Sequence, residues 1–116
     1  MNKSRIFQGI LIILMVIALY FVSHKYDLYF MFWWIDWAQH LLGGIGIGMI
    51  TTGIFQKKTG TIMGITLAIG VSWEIIERIG HIYLPTYINY GGTGDTLMDI
   101  LCAIIGTSLV LLATRE

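Results

Sequence analysis

Residues 34–55 read WIDWAQHLLGGIGIGMITTGIF, and two features of this stretch decide the fold. It is apolar and rich in glycine over about the 20 residues that a helix needs to cross the hydrocarbon core of a bilayer. Near its start it also carries Asp36 and His40, whose spacing of four residues places both side chains on one face of a helix. The stretch therefore predicts a membrane-spanning helix with a polar face near one end.

The composition of the whole chain favours the same class of protein. Hydrophobic residues make up 56% of the 116 residues, and the charged fraction of 12% lies far below the roughly 25% of soluble domains. The formal net charge is +0 and there is no basic patch, so nucleic acid is not an expected partner. We expect an all-α integral membrane protein, embedded in the lipid bilayer, with residues 1–116 as a single polytopic domain.

Four apolar segments predict a bundle of four transmembrane helices. They cover about residues 6–22, 35–55, 61–79 and 96–113. Between the first and the second, residues 28–37 are rich in aromatic rings of the kind that collect at headgroup level, so we expect an interfacial segment there. Residues 81–94 contain the only proline and three glycines, which predicts a loop.

Glycine pairs predict where helices approach one another closely. Gly44 and Gly48 form a small-xxx-small pattern in the second segment, and Gly60 and Gly64 repeat it at the start of the third. Small side chains allow another transmembrane helix to come near. We therefore expect both pairs to face neighbouring helices.

The basic residues beside the segment ends predict the orientation. With four crossings, one side of the membrane receives Lys3, Arg5, Lys57, Lys58 and Arg115, and the other receives Lys25 and Arg78. The positive-inside rule then places both termini in the cytoplasm. We expect a multi-pass membrane protein.

Two later segments carry similar pairs of polar residues, three or four residues apart. The added pairs are Glu74 with Glu77, near the end of the third segment, and Asp95 with Asp99, at the start of the fourth. The predicted topology brings all three pairs to the same, outward-facing level. An ionised side chain within a span costs roughly 2.5 to 3.5 kcal/mol on insertion scales, so such a cluster needs a compensating partner.

A divalent metal is one partner that satisfies several of these groups at once. Helical bundles build metal sites from acidic residues and histidine at such spacings on facing helices. The predicted ligands are Asp36, His40, Glu74, Asp95 and Asp99. Oxygen ligands with one imidazole suit zinc, manganese, iron or magnesium, and the sequence does not choose among them. In an enzyme, Glu74 or Glu77 would be the catalytic general base.

Three of these residues also have structural explanations that need no metal. Asp95 follows Gly94 and fits a helix N-cap. Asp36 fits a first-turn acid that the helix dipole favours. A lone His40 fits a hydrogen-bonded core histidine.

Lys25 or a protonated histidine is a second kind of partner for the acids, and Arg78 is a third. Arg78 follows Glu77 and lies four residues after Glu74, so a salt bridge along the helix surface would neutralise one carboxylate. It is also the only cation placed to hold an anion near the cluster. These alternatives remain open at the level of sequence.

The order of the polar and glycine residues resembles a known family. It runs Asp36-x-x-x-His40-Leu41-Leu42-Gly43-Gly44, then Trp73-Glu74-x-x-Glu77, then Gly94-Asp95-x-x-x-Asp99 and Gly106. This order resembles the YjdF-like family of bacterial inner-membrane proteins and, more distantly, the VanZ-like family. VanZ-like proteins have Glu-x-x-Gln and Asp-x-x-x-Asn at the later motifs, so Glu77 and Asp99 favour the former.

The resemblance covers about residues 33–110 and implies a small polytopic membrane protein. VanZ-like members are associated with resistance to glycopeptide antibiotics, which implies an envelope-related role. Family members are often longer, with additional spans, so the resemblance also implies a homo-oligomer that would enclose the site.

Three classes of function fit these observations. The first is an accessory protein of the cell envelope with a divalent-metal or structural polar site. The second is a metal-dependent membrane enzyme that acts on a lipid headgroup or a lipid-linked phosphate. The third is a cation or proton transporter, in which the cluster forms a site between helices.

Overall fold

The computed structural model describes residues 1–56, 58–85 and 93–115, and these residues form helices and short connections without strands. In chain order the helices are α1 (Lys3–Lys25), α2 (Leu28–Met31), α3 (Ile35–Phe55), α4 (Thr59–Tyr83) and α5 (Thr93–Ala113). All but the short α2 are long and apolar enough to cross a membrane. The prediction of an all-α protein with four transmembrane helices is confirmed.

The end of α4 differs from the predicted loop. The helix continues through residues 81–83, and the Leu84 N–H still donates to the Gly80 carbonyl at 2.7 Å. Gly80 does not break the helix, which ends at Leu84, where the following Pro85 disfavours helical backbone. The prediction of a loop from residue 81 is therefore wrong for this turn. Residues 86–92 of that predicted loop lie outside the described residues.

The predicted aromatic segment is divided between two helices. Asp27 adopts a left-handed conformation with φ 54° and turns the chain from α1 into α2. Phe30 and Trp33 are then strongly exposed, while the last part of the segment, from Ile35, already belongs to α3. The exposed rings agree with a position at the headgroups, which stays a prediction.

Helix α3 is the central helix of the bundle and packs against α1, α4 and α5. A Cβ atom at Gly44 would overlap the backbone of Ala103, and one at Gly48 would lie 3.1 Å from the Thr107 Cα. The bare backbone at these two positions lets α5 lie directly on α3. The packing role predicted for Gly44 and Gly48 is confirmed.

The second predicted glycine face does not contact another helix. A Cβ atom at Gly60 or Gly64 would meet nothing within 4 Å. Helix α4 packs instead through a different face, on which Ile62 and Thr66 are fully buried. The packing prediction for Gly60 and Gly64 is wrong, because the rotation of α4 about its axis is set by the residues that fit against α3 and α5.

Buried hydroxyl groups connect the three helices in the middle of the bundle. Thr107 on α5 donates to the Gly44 carbonyl on α3 at 2.8 Å, and its oxygen lies 2.9 Å from the Thr66 hydroxyl on α4. The Thr66 hydroxyl also donates to the Ile62 carbonyl of its own helix at 3.1 Å, and either threonine can be the donor in the contact between them. This hydroxyl network holds α3, α4 and α5 in register next to the level of the acidic pairs.

Candidate functional site

Three helices bring acidic side chains around one histidine at the same end of the bundle. The Nε2 atom of His40 lies 3.5 Å from Asp36 Oδ1 on the same helix, α3. It also lies 3.9 Å from Glu74 Oε1 on α4 and 3.3 Å from Asp99 Oδ2 on α5. The predicted convergence of the three segments is confirmed. We call Asp36, His40, Glu74, Glu77 and Asp99 the acid-histidine cluster.

Three oxygens of the two deepest carboxylates in this cluster have no hydrogen-bond partner among the described residues. Asp99 is 1% exposed and Glu74 is 6% exposed. Both Asp99 oxygens and Glu74 Oε1 are buried without a hydrogen bond from any described residue. Removing an ionised carboxylate from water without compensation is strongly unfavourable. These oxygens therefore require a proton or a cation.

Two groups of ligand atoms in the cluster have the spacing of a metal site. The first group is Asp36, His40 and Asp99, and the second is Glu74, Glu77 and Asp99. Within each group one ligand atom per residue lies within 4.8 Å of the others. Small side-chain adjustments would bring such atoms to the roughly 2.0–2.2 Å that oxygen and imidazole ligands keep from zinc.

Glu77 is held by an indole. The Trp73 Nε1–H donates to Glu77 Oε1 at 2.8 Å, one helical turn away on α4. This bond fixes the carboxylate and leaves its second oxygen for another partner. Pairing of Glu77 or Glu74 with Arg78, and an anion-binding role for Arg78, stay predictions.

Asp95 belongs to neither of the two ligand groups. It is the third residue of α5, which begins at Thr93, so the prediction of Asp95 as the N-cap is wrong. The position still suits an acid, because the helix dipole favours negative charge there. The carboxylate faces the cavity described next, and a role as a metal ligand stays a prediction.

A cavity of about 250 Å³ lies beside the cluster. Its walls combine three carboxylates with aromatic rings from α1 and the α1–α3 connection, and its lining residues are Tyr20, His24, Tyr29, Trp33, Asp36, Glu77 and Asp95. Asp36 belongs to the first ligand group and Glu77 to the second. The cavity therefore reaches both groups.

The aromatic wall of this cavity was not predicted as part of a site. Aromatic rings near the ends of the spans were expected at the membrane interface. The His24 ring lies 4.4 Å from that of Tyr20 and 5.0 Å from that of Tyr29, measured between centroids. The signal was the spacing of Tyr20 and His24, which share one face of α1 as Asp36 and His40 share one face of α3.

Hydrogen bonds fix the connection that forms this wall. The Tyr29 hydroxyl donates to Gln39 Oε1, and Gln39 Nε2 donates to Ser23 Oγ at 3.0 Å. Burial raises the pKa of the Tyr29 phenol, which keeps the hydroxyl protonated as a donor. The chain of bonds ties α1, α2 and α3 together next to the cavity.

The fold and the cluster define a class: a multi-pass, all-α membrane protein with buried acidic groups and a histidine between three of its helices. The family described as "Predicted membrane protein (DUF2238)" matches residues 4–115, and the chain belongs to this family. The YjdF-like family inferred from the motifs corresponds to it. The likeness to VanZ-like proteins stays a prediction. Neither the curated proteins nor the solved structures contain a match to this chain.

Proposed function

We propose that this protein binds divalent metal at the acid-histidine cluster and acts in an envelope-related role at the outer face of the inner membrane. The observation that carries the proposal is Asp99. Its side chain is almost fully buried, neither oxygen has a hydrogen-bond partner among the described residues, and it belongs to both groups of potential ligands. A cation supplies what these oxygens lack.

A purely structural network is a weaker explanation of the same residues. A protonated His40 would neutralise one carboxylate, and Trp73 already binds Glu77. The unpartnered oxygens of Glu74 and Asp99 would then still need protons. A single divalent ion with carboxylate and imidazole ligands would compensate several charges in one step.

The ligand set restricts the metal without selecting one. Carboxylate oxygens with one imidazole nitrogen suit manganese, iron or zinc, and magnesium if water completes the shell. No thiolate takes part in either ligand group. We therefore propose a metal that accepts mainly oxygen ligands.

The cavity favours a second candidate function, a metal-dependent enzyme. A bound metal would polarise a phosphoryl oxygen and lower the pKa of a water molecule. Glu77 is the better general base of the two predicted, because it lines the cavity and is oriented by Trp73. A lipid headgroup or a lipid-linked phosphate would reach this site from the membrane surface. Arg78 is the proposed contact for its negative charge.

Transport of a cation or proton has less support. Among the described residues, the buried polar groups between the cluster and the opposite end of the bundle are the hydroxyls of Thr51, Thr52, Thr66 and Thr107. The Thr66 and Thr107 hydroxyls are already hydrogen-bonded to each other. A path of ionisable groups through the bundle would be needed to relay ions or protons.

Metal analysis of the purified full-length protein tests the metal proposal. After incubation with Mn²⁺, Zn²⁺ or Fe²⁺ and removal of free ions, the wild type should retain stoichiometric metal. Asp99→Asn should lose it, because an amide keeps the shape but not the charge. Asp27→Asn is the matched control, since Asp27 is exposed and asparagine tolerates its left-handed backbone. A wild type without stoichiometric metal would contradict the proposal.

A further inference from the structure

We propose that the acid-histidine cluster holds two divalent ions, bridged by the carboxylate of Asp99; this rests on the proposed metal-binding function. The two ligand groups have only Asp99 in common. Helix α3 supplies Asp36 and His40 to one group, and α4 supplies Glu74 and Glu77 to the other. Asp99 on α5 lies between them.

The two oxygens of Asp99 suit a bridging role. Oδ2 lies 3.3 Å from His40 Nε2, on the side of the first group, and Oδ1 is equally buried and equally without a hydrogen bond. A carboxylate that binds one ion through one oxygen commonly has its other oxygen hydrogen-bonded by the protein. No described residue does so here. Coordination of one ion by each oxygen explains why both lack partners.

Two divalent ions would also balance the charge of the fully ionised cluster. Asp36, Glu74, Glu77 and Asp99 carry four negative charges when ionised. One divalent ion would leave two of these charges uncompensated within the span, where charge is costly. Two divalent ions compensate all four, and His40 then binds as a neutral imidazole, the form in which it is a metal ligand.

The two groups are too close to form separate sites. His40 belongs to the first group and Glu74 to the second, yet His40 Nε2 and Glu74 Oε1 lie 3.9 Å apart. Ions held on either side of this contact would be neighbours. Two-metal centres place their ions about 3.5–4 Å apart, which is the separation that one bridging carboxylate maintains.

Both ions would be open to the same ligand. Asp36 from the first group and Glu77 from the second line the one cavity beside the cluster. A molecule in this cavity would therefore meet the pair of ions from a single side. A paired centre of this kind acts on oxyanions by holding two oxygens at once.

Manganese binding with electron paramagnetic resonance tests the pair. Mn²⁺ is added to the purified full-length protein in detergent, free ions are removed, and bound manganese per chain is measured together with the spectrum. We expect two Mn²⁺ per chain, with the hyperfine lines of isolated Mn²⁺ replaced by the broad spectrum of a coupled pair. The exposed-site control Asp27→Asn should behave like the wild type.

Glu77→Gln separates the two ligand groups. The glutamine oxygen can still accept the Trp73 N–H bond, so the local structure is kept while the charge is removed. We expect bound manganese to fall by half, to one Mn²⁺ per chain, and the lines of an isolated ion to appear. Asp36→Asn gives the same test from the first group and replaces Glu77→Gln if that variant does not fold.

The outcomes distinguish the pair from the metal site itself. A wild type that binds no manganese, zinc or iron overturns both proposals. A wild type that binds one Mn²⁺ with the lines of an isolated ion overturns the pair and leaves a single metal site. Two uncoupled ions that both remain in Glu77→Gln also overturn the bridge, because the second ion then lies elsewhere.

Discussion

The interface between α3, α4 and α5 contains buried polar groups at two levels, the acid-histidine cluster and the hydroxyl network. The two levels differ in how these groups are hydrogen-bonded. In the middle, the Thr107 hydroxyl is bonded to both Thr66 and the Gly44 carbonyl, so the polar groups are satisfied within the protein. At the cluster, both oxygens of Asp99 and one oxygen of Glu74 are also buried, but no described residue forms such a bond with them. The same three helices therefore provide hydrogen-bond partners for buried polar groups one to two turns away from the cluster. This difference between the two levels supports the proposed metal site.

The largest expected effect comes from disturbing the close contact between α3 and α5, because both the cluster and the hydroxyl network depend on it. Gly44→Ala would drive its Cβ into the Ala103 backbone, and overpacking of this kind destabilises by about 3 kcal/mol. Gly43→Ala is the matched control, since its Cβ would meet nothing within 4 Å. It should leave stability unchanged or raise it by up to about 1 kcal/mol, given the higher helix propensity of alanine.

Reversible unfolding of the purified protein in detergent measures this difference. Equal effects of the substitutions at Gly43 and Gly44 would show that α3 and α5 are farther apart than described here.

The second prediction separates the cluster from the hydroxyl network by its dependence on metal. A metal present at 100 times its dissociation constant should stabilise the wild type by about 2.7 kcal/mol. Asp99→Asn should lose this gain and be at least as stable as the wild type in chelator, because it removes one of several like charges. Thermal unfolding with and without Mn²⁺ measures both quantities. A purely structural Asp99 would instead make Asp99→Asn less stable in chelator.

The third prediction concerns the hydroxyl network. Thr107→Val keeps the shape of the side chain but removes its bonds to α3 and α4. Hydrogen bonds between membrane helices contribute about 0.6 kcal/mol on average, so we expect a loss of about 1 kcal/mol. Ser108→Ala is the control, because the Ser108 hydroxyl donates only to the Ile104 carbonyl of its own helix.

Metal stoichiometry should be the same in Thr107→Val and the wild type. Loss of metal in this variant would mean that the two parts of the interface are not separable.

The smallest expected effect is at the wall of the cavity. Tyr29→Phe removes the hydroxyl that donates to Gln39 but keeps the ring against His24. We expect a loss of about 1 kcal/mol or less, as for a single hydrogen bond that water can partly replace. Metal content should not change, since Tyr29 lies outside both ligand groups. A decrease in bound metal would assign Tyr29 to the site rather than to its support.

Local properties of the chain predicted the fold and part of the site. Hydropathy and length identify four spans, because the cost of burying polar backbone and side chains in lipid acts on each segment separately. The spacing of Asp36 and His40 places them on one face before any packing is known. Successive spans cross the membrane in opposite directions, so the predicted topology also placed Glu74 and Asp99 at the same end of the bundle as Asp36 and His40.

The sequence did not predict how each helix is oriented about its own axis. Gly44 and Gly64 carry the same small-xxx-small signal, yet only Gly44 contacts another helix. Asp95 and Asp99 are one turn apart, yet only Asp99 belongs to the ligand groups. A sequence pattern defines a face of a helix, but not the direction in which that face points.

The sequence by itself determined four membrane-spanning helices and three polar pairs at one level of the bundle. The tertiary structure alone decided that Asp99 lies between two ligand groups and that Tyr20 and His24 of α1 form the wall of the cavity. The physical reason is that hydropathy and residue spacing act within one helix. The rotation of each helix about its axis depends on the side chains that fit between it and its neighbours.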